Sequence, residues 1–161
     1  MSKNHAHLPY RPCVGVMLVN SQGHAFVGKR IDNREGDFWQ MPQGGIDDGE
    51  EVREAGLREL WEETGVEHHH VTLLAQTREE VLYDLPDELL GKLWKGRYRG
   101  QRQHWVLARF NGSDEHIRLD AHNPAEFEDW KWLAPELLPE VIVPFKKRVY
   151  RAVLDEFREL I

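Results

Sequence analysis

Cysteine is almost absent. Cys13 stands alone in the chain of 161 residues, so no disulfide can close within it, and the reducing cytoplasm is the expected compartment. Long apolar runs are missing too. No stretch approaches the roughly 18 residues that a membrane-spanning helix needs, and the opening M-S-K-N-H-A-H-L-P-Y lacks the apolar centre of a secretory leader. No membrane is therefore expected as a partner. Nor is positive charge in excess: 21 Lys and Arg face 28 Asp and Glu, for a net charge of −7. That argues against a protein that holds nucleic acid by a general basic surface. A polyphosphate ligand would need divalent cations, local basic patches, or both. No repeat, low-complexity tract or linker interrupts the chain, so residues 1–161 are expected to form one domain, and no obligate protein partner is evident.

What is present is ordinary for a globular chain, 40% hydrophobic and 30% charged. Cys13 to Asn20 is apolar and β-branched and reads as a strand. Asn20 to Gly23 reads as a turn, and His24 to Arg30 as the returning strand. Asp32 to Asp37 is a polar loop. Phe38 to Pro42 reads as a short strand leading into Gln43-Gly44-Gly45. Asp47 and Asp48 are helix-start candidates, and a helix is expected from about Glu50 to Thr64. The run His68 to His70 follows the stop signal Gly65. Histidine tracts can bind metal, but here the placement favours a solvated loop. Val71 to Leu82 has strand character, Asp84 to Gly100 is irregular, Gln103 to Phe110 is the clearest later strand, and Glu126 to Leu133 is another. A last helix is expected over Phe145 to Leu160, with Phe145, Val149, Val153, Phe157 and Leu160 as its apolar stripe. The pattern predicts an α/β fold with a mixed sheet.

The segment R-E-L-W-E-E-T-G-V, residues 58–66, gathers three carboxylates. At about 100° per residue, Glu59, Glu62 and Glu63 share one helix face. Leu57, Leu60, Trp61 and Thr64 fall opposite and are expected to be the buried side. Like charges at i, i+3 and i+4 repel by only a few tenths of a kcal/mol per exposed pair, so a merely solvated acidic face is tolerable. The alternative is a site for a hard divalent cation, which turns repulsion into attraction. The surroundings favour the second: Gly44, five residues, Glu50, seven residues, then Arg58-Glu59-Leu60-Trp61-Glu62-Glu63-Thr64-Gly65-Val66. Gly44-Gly45 suits a tight backbone path.

This pattern resembles the Nudix box, over residues 44–66, at every specified position. The resemblance implies a Nudix fold, a mixed β-sheet sandwiched between helices, and hydrolysis of a nucleoside diphosphate linked to another group. It implies Mg²⁺ or Mn²⁺ held by Glu59, Glu62 and Glu63, with the Gly44 carbonyl as a further ligand, and Glu50 with Arg58 as a structural ion pair. Outer marks extend the similarity over residues 10–160: Tyr10-Arg11-Pro12, Trp39-Gln40-Met41-Pro42-Gln43, Tyr83-Asp84-Leu85-Pro86, Gly100-Gln101-Arg102-Gln103, Glu126-Phe127 and Val143-Pro144-Phe145-Lys146. They are similar to the bacterial branch that acts on RNA 5′ ends or on dinucleoside polyphosphates. There the resemblance implies that Glu126 completes the metal cluster and that Glu59, Glu63 and Glu126 are the candidates for general base. It also implies that Arg30 meets phosphates, Phe145 a base, and Arg11 and Lys146 the next nucleotide. The implied substrate is 5′-triphosphorylated RNA. Diadenosine tetraphosphate is the alternative, because the loop Ile31 to Phe38 resembles the form in relatives associated with it. A non-catalytic nucleotide sensor is a third reading, against which the intact glutamates stand.

Overall fold

A computed structural model describes residues 7–32 and 36–161. The strands are β1 (Tyr10–Val19), β2 (Ala25–Arg30), β3 (Gln43–Gly45), β4 (Val71–Gln76), β5 (Val81–Asp84), β6 (Gly100–Phe110) and β7 (Phe127–Leu133). The helices are α1 (Val52–Thr64), α2 (Leu138–Val141) and α3 (Lys147–Phe157). The seven strands form one sheet in the order β4-β6-β1-β2-β7, with β3 added to β1 and β5 to β6. Only β1 and β6 run parallel; the other pairs are antiparallel.

The apolar run V-G-V-M-L-V explains why β1 is central: it is buried from Cys13 to Val19. A strand covered on both faces needs no alternation of apolar and polar residues. Successive side chains still point to opposite sides. Met17 and Val19 join Val149, Val153 and Phe157 of α3 in one core, whereas Val16 and Leu18 join Leu60 of α1 and Val66 in another. Helices therefore cover both faces of a mixed sheet, as the resemblance implied.

The elements differ from expectation at identifiable places. Residues 38–42 form only a single bridge, Gly28 to Gln40, and the short strand falls one step later, at β3. The stretch 71–82 is two strands, because β6 is long enough to pair β4 and β5 in succession. Thr77 marks the break: its N–H donates to the Trp105 carbonyl at 2.9 Å and its hydroxyl accepts from the Trp105 N–H at 3.0 Å. The last helix opens as a 3₁₀ turn over Pro144–Lys146, which takes Phe145 off the expected stripe and leaves it half-buried. The stripe ends at Phe157, and Leu160 is 52% exposed. The histidine run forms one 3₁₀ turn, its His70 ring 4.0 Å from that of His116. The loop 31–38 lies in part outside the described residues, as does most of the N-terminal stretch. Among the described residues no helix is long and apolar enough to cross a membrane.

The largest correction concerns α1. Its buried residues are Ala55, Gly56, Glu59, Leu60, Glu63 and Thr64. Trp61 is 41% exposed and meets the His122 ring edge-on at 3.9 Å; Leu57 is half-buried. The reason is the small pair Ala55-Gly56. It lets the helix lie close on the sheet, and a methyl at Gly56 would stand 3.5–3.6 Å from Val14, Val16 and Val106. Glu59 and Glu63 follow Ala55 at intervals of four, so they run along the same line onto β3. Gly65 ends the helix in the left-handed conformation, φ 73°, its N–H donating to the Trp61 carbonyl. We expect Leu60→Ala to cost about 2–5 kcal/mol. We expect Trp61→Ala to cost about 1 kcal/mol or less, and urea midpoints of the metal-free variants measure both. A greater loss for Trp61 would mean that α1 turns the other face to the sheet.

Candidate active site

The C-terminal half of α1 crosses β3, and the carboxylates meet the backbone there. Glu63 is 1% exposed, accepts the Gln43 N–H at 3.1 Å and has the Glu126 carboxyl beside it. Burial first, then the contact with Glu126, and then the Glu126 and Glu59 charges push Glu63 well above the usual carboxylate range. Glu59, 8% exposed, is also raised by burial, with Arg58 opposing. Gly44 is required at this crossing. A Cβ there would collide with the Glu59 carboxyl, so no other residue fits without moving the acid.

Arg58 binds this corner together. Its Nε and Nη2 donate to Glu50 at 2.8 and 2.9 Å, and Nη2 also donates to the Gly45 carbonyl at 2.9 Å. Nη1 donates to Glu59 at 2.9 Å and reaches Glu62 at 3.3–3.4 Å. The guanidinium depresses the Glu50 pKa through its hydrogen bonds. Glu50 is thereby tied to α1, which begins two residues later at Val52. Glu62 faces outward along Arg58.

The acids open onto a cleft of about 710 Å³. Its wall takes in Gly44, Glu59, Glu62 and Glu126, and also Arg11, Arg30, Phe145 and Lys146. Glu63 lies beneath, behind Gln43. Glu50 and Arg58 stand outside the wall. Arg30 ends β2 and pairs with Asp32 at 2.8 and 3.1 Å. Arg11 starts β1, with its Nη2 only 2.7 Å from where a Cβ on Gly45 would lie. Lys146 stands 5.9 Å from the Phe145 ring and 5.7 Å from that of Tyr83. Burial, then Arg30, pulls its ammonium down to about 8.

The sequence reading overlooked several parts of the wall. Gln101 and Gln103 are buried on β6. Trp105 Nε1 donates to Gln103 at 2.7 Å, and Gln103 Nε2 donates to Gln101 at 2.7 Å and to Gln43 at 3.4 Å. The signal was available: Gln101, Gln103 and Trp105 alternate onto one face of a strand, where an amide must find partners. Gln40 lines the cleft too, with a buried Nε2 that has no hydrogen-bond partner among the described residues. Trp39 and Trp94 complete the aromatic part of the wall.

Among the described residues, no three His, Cys, Asp or Glu side chains are gathered closely enough to hold a metal ion by themselves. The donor chemistry nevertheless fits a hard divalent cation. Glu59, Glu63, Glu126 and the Gly44 carbonyl offer oxygen alone; Arg58 donates to Glu59, while burial raises Glu59 and Glu63 alike, a cost that a cation would relieve.

Residues 9–153 match the NUDIX domain. The chain is 69% identical over 161 residues to the RNA pyrophosphohydrolase of Novosphingobium aromaticivorans, covering 100% of each. It is 58% identical over 160 residues to the RNA pyrophosphohydrolase of Erythrobacter litoralis, covering 99% of this chain and 98% of the relative. Among solved structures it is similar to a dihydroneopterin triphosphate pyrophosphohydrolase from E. coli, with a TM-score of 0.68, 20% identity, and 88% and 94% of the two chains covered. A C. elegans Ap4A hydrolase in a binary complex gives 0.63 at 16% identity, covering 91% of this chain and 98% of that one. At those identities the likeness shows a shared fold. The chain belongs to the Nudix family. Within it, the chain is a pyrophosphohydrolase, an enzyme that opens phosphoric anhydrides.

The buried Glu63 generates a prediction of definite sign. A carboxyl raised in the folded state contributes stability that is complete below its unfolded pKa, about 4.3, and is lost as pH rises through the raised value. Glu63→Gln keeps the acceptor for Gln43 and removes the charge. With chelator present, the variant should melt at or above wild type at pH 8, and the difference should close as pH falls toward 5. The same variant should lose turnover at saturating Mg²⁺. Thermal melts across that pH range and a single-point assay check both; an apo variant less stable than wild type at pH 8 contradicts the burial of charge.

Proposed function

We propose that this enzyme removes pyrophosphate from the 5′ end of triphosphorylated RNA and leaves a 5′-monophosphate. The observation that carries the reading is one cleft in which Glu59 and Glu126, above Glu63, share a wall with three cations, Arg11, Arg30 and Lys146, and with aromatic rings. An acidic chain that must hold polyphosphate needs its cations collected in this way. The full-length relatives named RNA pyrophosphohydrolase support the same substrate.

In this reading Glu59, Glu62, Glu63, Glu126 and the Gly44 carbonyl hold Mg²⁺ or Mn²⁺. Bound there, the cation neutralises phosphate charge and lowers the pKa of water. The protein's own groups do the rest. One glutamate among Glu59, Glu63 and Glu126 takes the proton of the attacking water. The water oxygen bonds to phosphorus as the bond to the departing pyrophosphate breaks. Arg30, at the edge of the acids, meets the phosphates by charge-assisted hydrogen bonds. Phe145 packs on a base, and Arg11 and Lys146 hold the next nucleotide. Glu50 and Arg58 keep α1 and β3 in register. The domain spans residues 1–161 and works in the cytoplasm, where the buried Cys13 thiol stays reduced.

A dinucleoside polyphosphate is the second reading. Aromatic rings enter the cleft from separate segments, Phe38 with Trp39, Trp94, and Phe145, which is provision for two bases. Wild-type kcat/KM on triphosphate RNA and on diadenosine tetraphosphate, assayed side by side, decides between them. Arg11→Ala and Lys146→Ala each remove a charge-assisted contact worth roughly 1.5–3 kcal/mol, or about tenfold or more in kcat/KM on RNA. ATP, which has no second nucleotide, should lose much less. Salt must be held constant, because phosphate contacts weaken with it. Equal losses on RNA and ATP would place both residues at the polyphosphate; loss confined to diadenosine tetraphosphate would favour the second reading.

A further inference from the structure

The densest positive charge of this acidic chain lies outside the cleft. Lys92, Lys95, Arg97, Arg99 and Arg102 fall within residues 92–102, and no Asp or Glu stands among them. Two of the five are committed. Arg102 pairs with Glu80 at 3.2 Å. Arg99 donates to Asp84 at 3.1 Å and lies 4.8 Å from the centre of the Tyr10 ring. The other three, Lys92, Lys95 and Arg97, are exposed. Among the described residues they form no ion pair, although Asp87 and Glu88 precede them closely in the chain.

The backbone gathers these three into one knob. Gly91, Trp94, Lys95 and Gly96 all have positive φ, at 79°, 52°, 59° and 71°, which winds the chain back on itself. A Cβ on Gly96 would stand 3.1 Å from the Gly91 carbonyl oxygen, so the two glycines meet and close the turn. Lys92 N–H donates to the Leu89 carbonyl at 3.1 Å, and Arg97 N–H to the Trp94 carbonyl at 3.2 Å. Leu89, Leu93 and Trp94 give the inner side of the knob to the cleft wall. Lys92, Lys95 and Arg97 stand outside that wall, in solvent. Three uncompensated cations on one closed turn repel one another, and an anion bound across them relieves that repulsion. The cleft points to which anion. The Arg11 guanidinium is 5.5 Å from the Trp94 ring centroid, so the cleft ends against the knob at the residue assigned above to the second nucleotide.

We infer that the knob at residues 91–97 is a landing surface for the backbone phosphates of RNA beyond the second nucleotide, engaged through Lys92, Lys95 and Arg97 by charge and not by base. The inference rests on the RNA reading and carries it past the cleft. Contacts of this kind fix the path of a strand without reading its sequence. A dinucleoside polyphosphate has no chain beyond its second nucleoside and cannot use them. The test combines Lys92→Gln, Lys95→Gln and Arg97→Gln in one chain, with a charge-conserving Lys92→Arg, Lys95→Arg, Arg97→Lys chain beside it. Both are compared with wild type on ATP and on 5′-triphosphorylated RNAs of two, four and six nucleotides, over a series of salt concentrations. In wild type, kcat/KM on the hexanucleotide should fall more steeply with salt than on the dinucleotide. Each phosphate engaged adds about 0.7 to the logarithmic slope, so three add about 2. The glutamine chain should bring the two slopes together and lose roughly tenfold on the hexanucleotide at low salt, through KM. It should leave ATP and the dinucleotide unchanged. The charge-conserving chain should behave as wild type. Equal slopes for the two lengths in wild type, or an equal loss at every length in the glutamine chain, would overturn the inference. If wild type leaves every triphosphorylated RNA uncut, the functional reading itself fails. If wild type cuts them and the glutamine chain matches it at all lengths, only the landing surface fails.

Discussion

A single guanidinium holds the acidic end of the molecule in shape. Arg58 donates to Glu50, Glu59, Glu62 and the Gly45 carbonyl, and so joins the loop before α1, the helix itself and β3. Removing one partner from such a half-buried network leaves the others uncompensated, and that cost exceeds what the intact network contributes. The network's value is therefore geometric. It fixes the distance between the helix that carries the acids and the strand whose backbone faces them. The absence of a side chain at Gly44 is the other half of the same constraint, because any Cβ would displace Glu59.

Around that corner the protein keeps its charges unbalanced on purpose. Glu63 is buried against Gln43 and Glu126, and among the described residues no basic side chain hydrogen-bonds it. Arg11, Arg30 and Lys146 come to the same cleft, yet none of them forms an ion pair with Glu63: Arg30 is engaged with Asp32, and Lys146 is pulled down to about 8 by burial. A folded state with strained electrostatics of both signs in one cavity is arranged for ligands that carry the opposite signs, a cation for the acids and a polyphosphate for the bases. The rest of the fold meets the expense through two apolar cores, one on each face of the sheet.

The sheet also decides which parts of the cleft are firm. Arg11, Arg30 and Gly44 sit on β1, β2 and β3, which are hydrogen-bonded into its centre. Lys146 and Phe145 come from the turn that opens α3, and Trp94 from the irregular stretch between β5 and β6. Arg11 and Arg30 are thus set on strands, where position is precise, and Lys146, Phe145 and Trp94 on connecting segments, where shape can vary.

Sequence by itself determined the chemistry: which carboxylates cluster, which glycines must stay bare, and that Arg58 stands eight residues from Glu50, in reach across the start of a helix. These are local relations, carried by spacing along the chain. It also determined the central strand, since an uninterrupted apolar run has few other places to go. It did not determine which way α1 turns. A helical wheel gives the angle between Glu59 and Trp61 but not the direction of the sheet, and only the close contact of Ala55 and Gly56 with Val14, Val16 and Val106 decided that the acids, and not Trp61, face inward. The division of residues 71–84 into β4 and β5 depended on the length of a partner strand, β6, that begins only at Gly100. The gathering of Gln43, Gln101 and Trp94 at one cleft likewise joins segments remote in sequence, whose meeting is settled only when the strands pair and the helices pack.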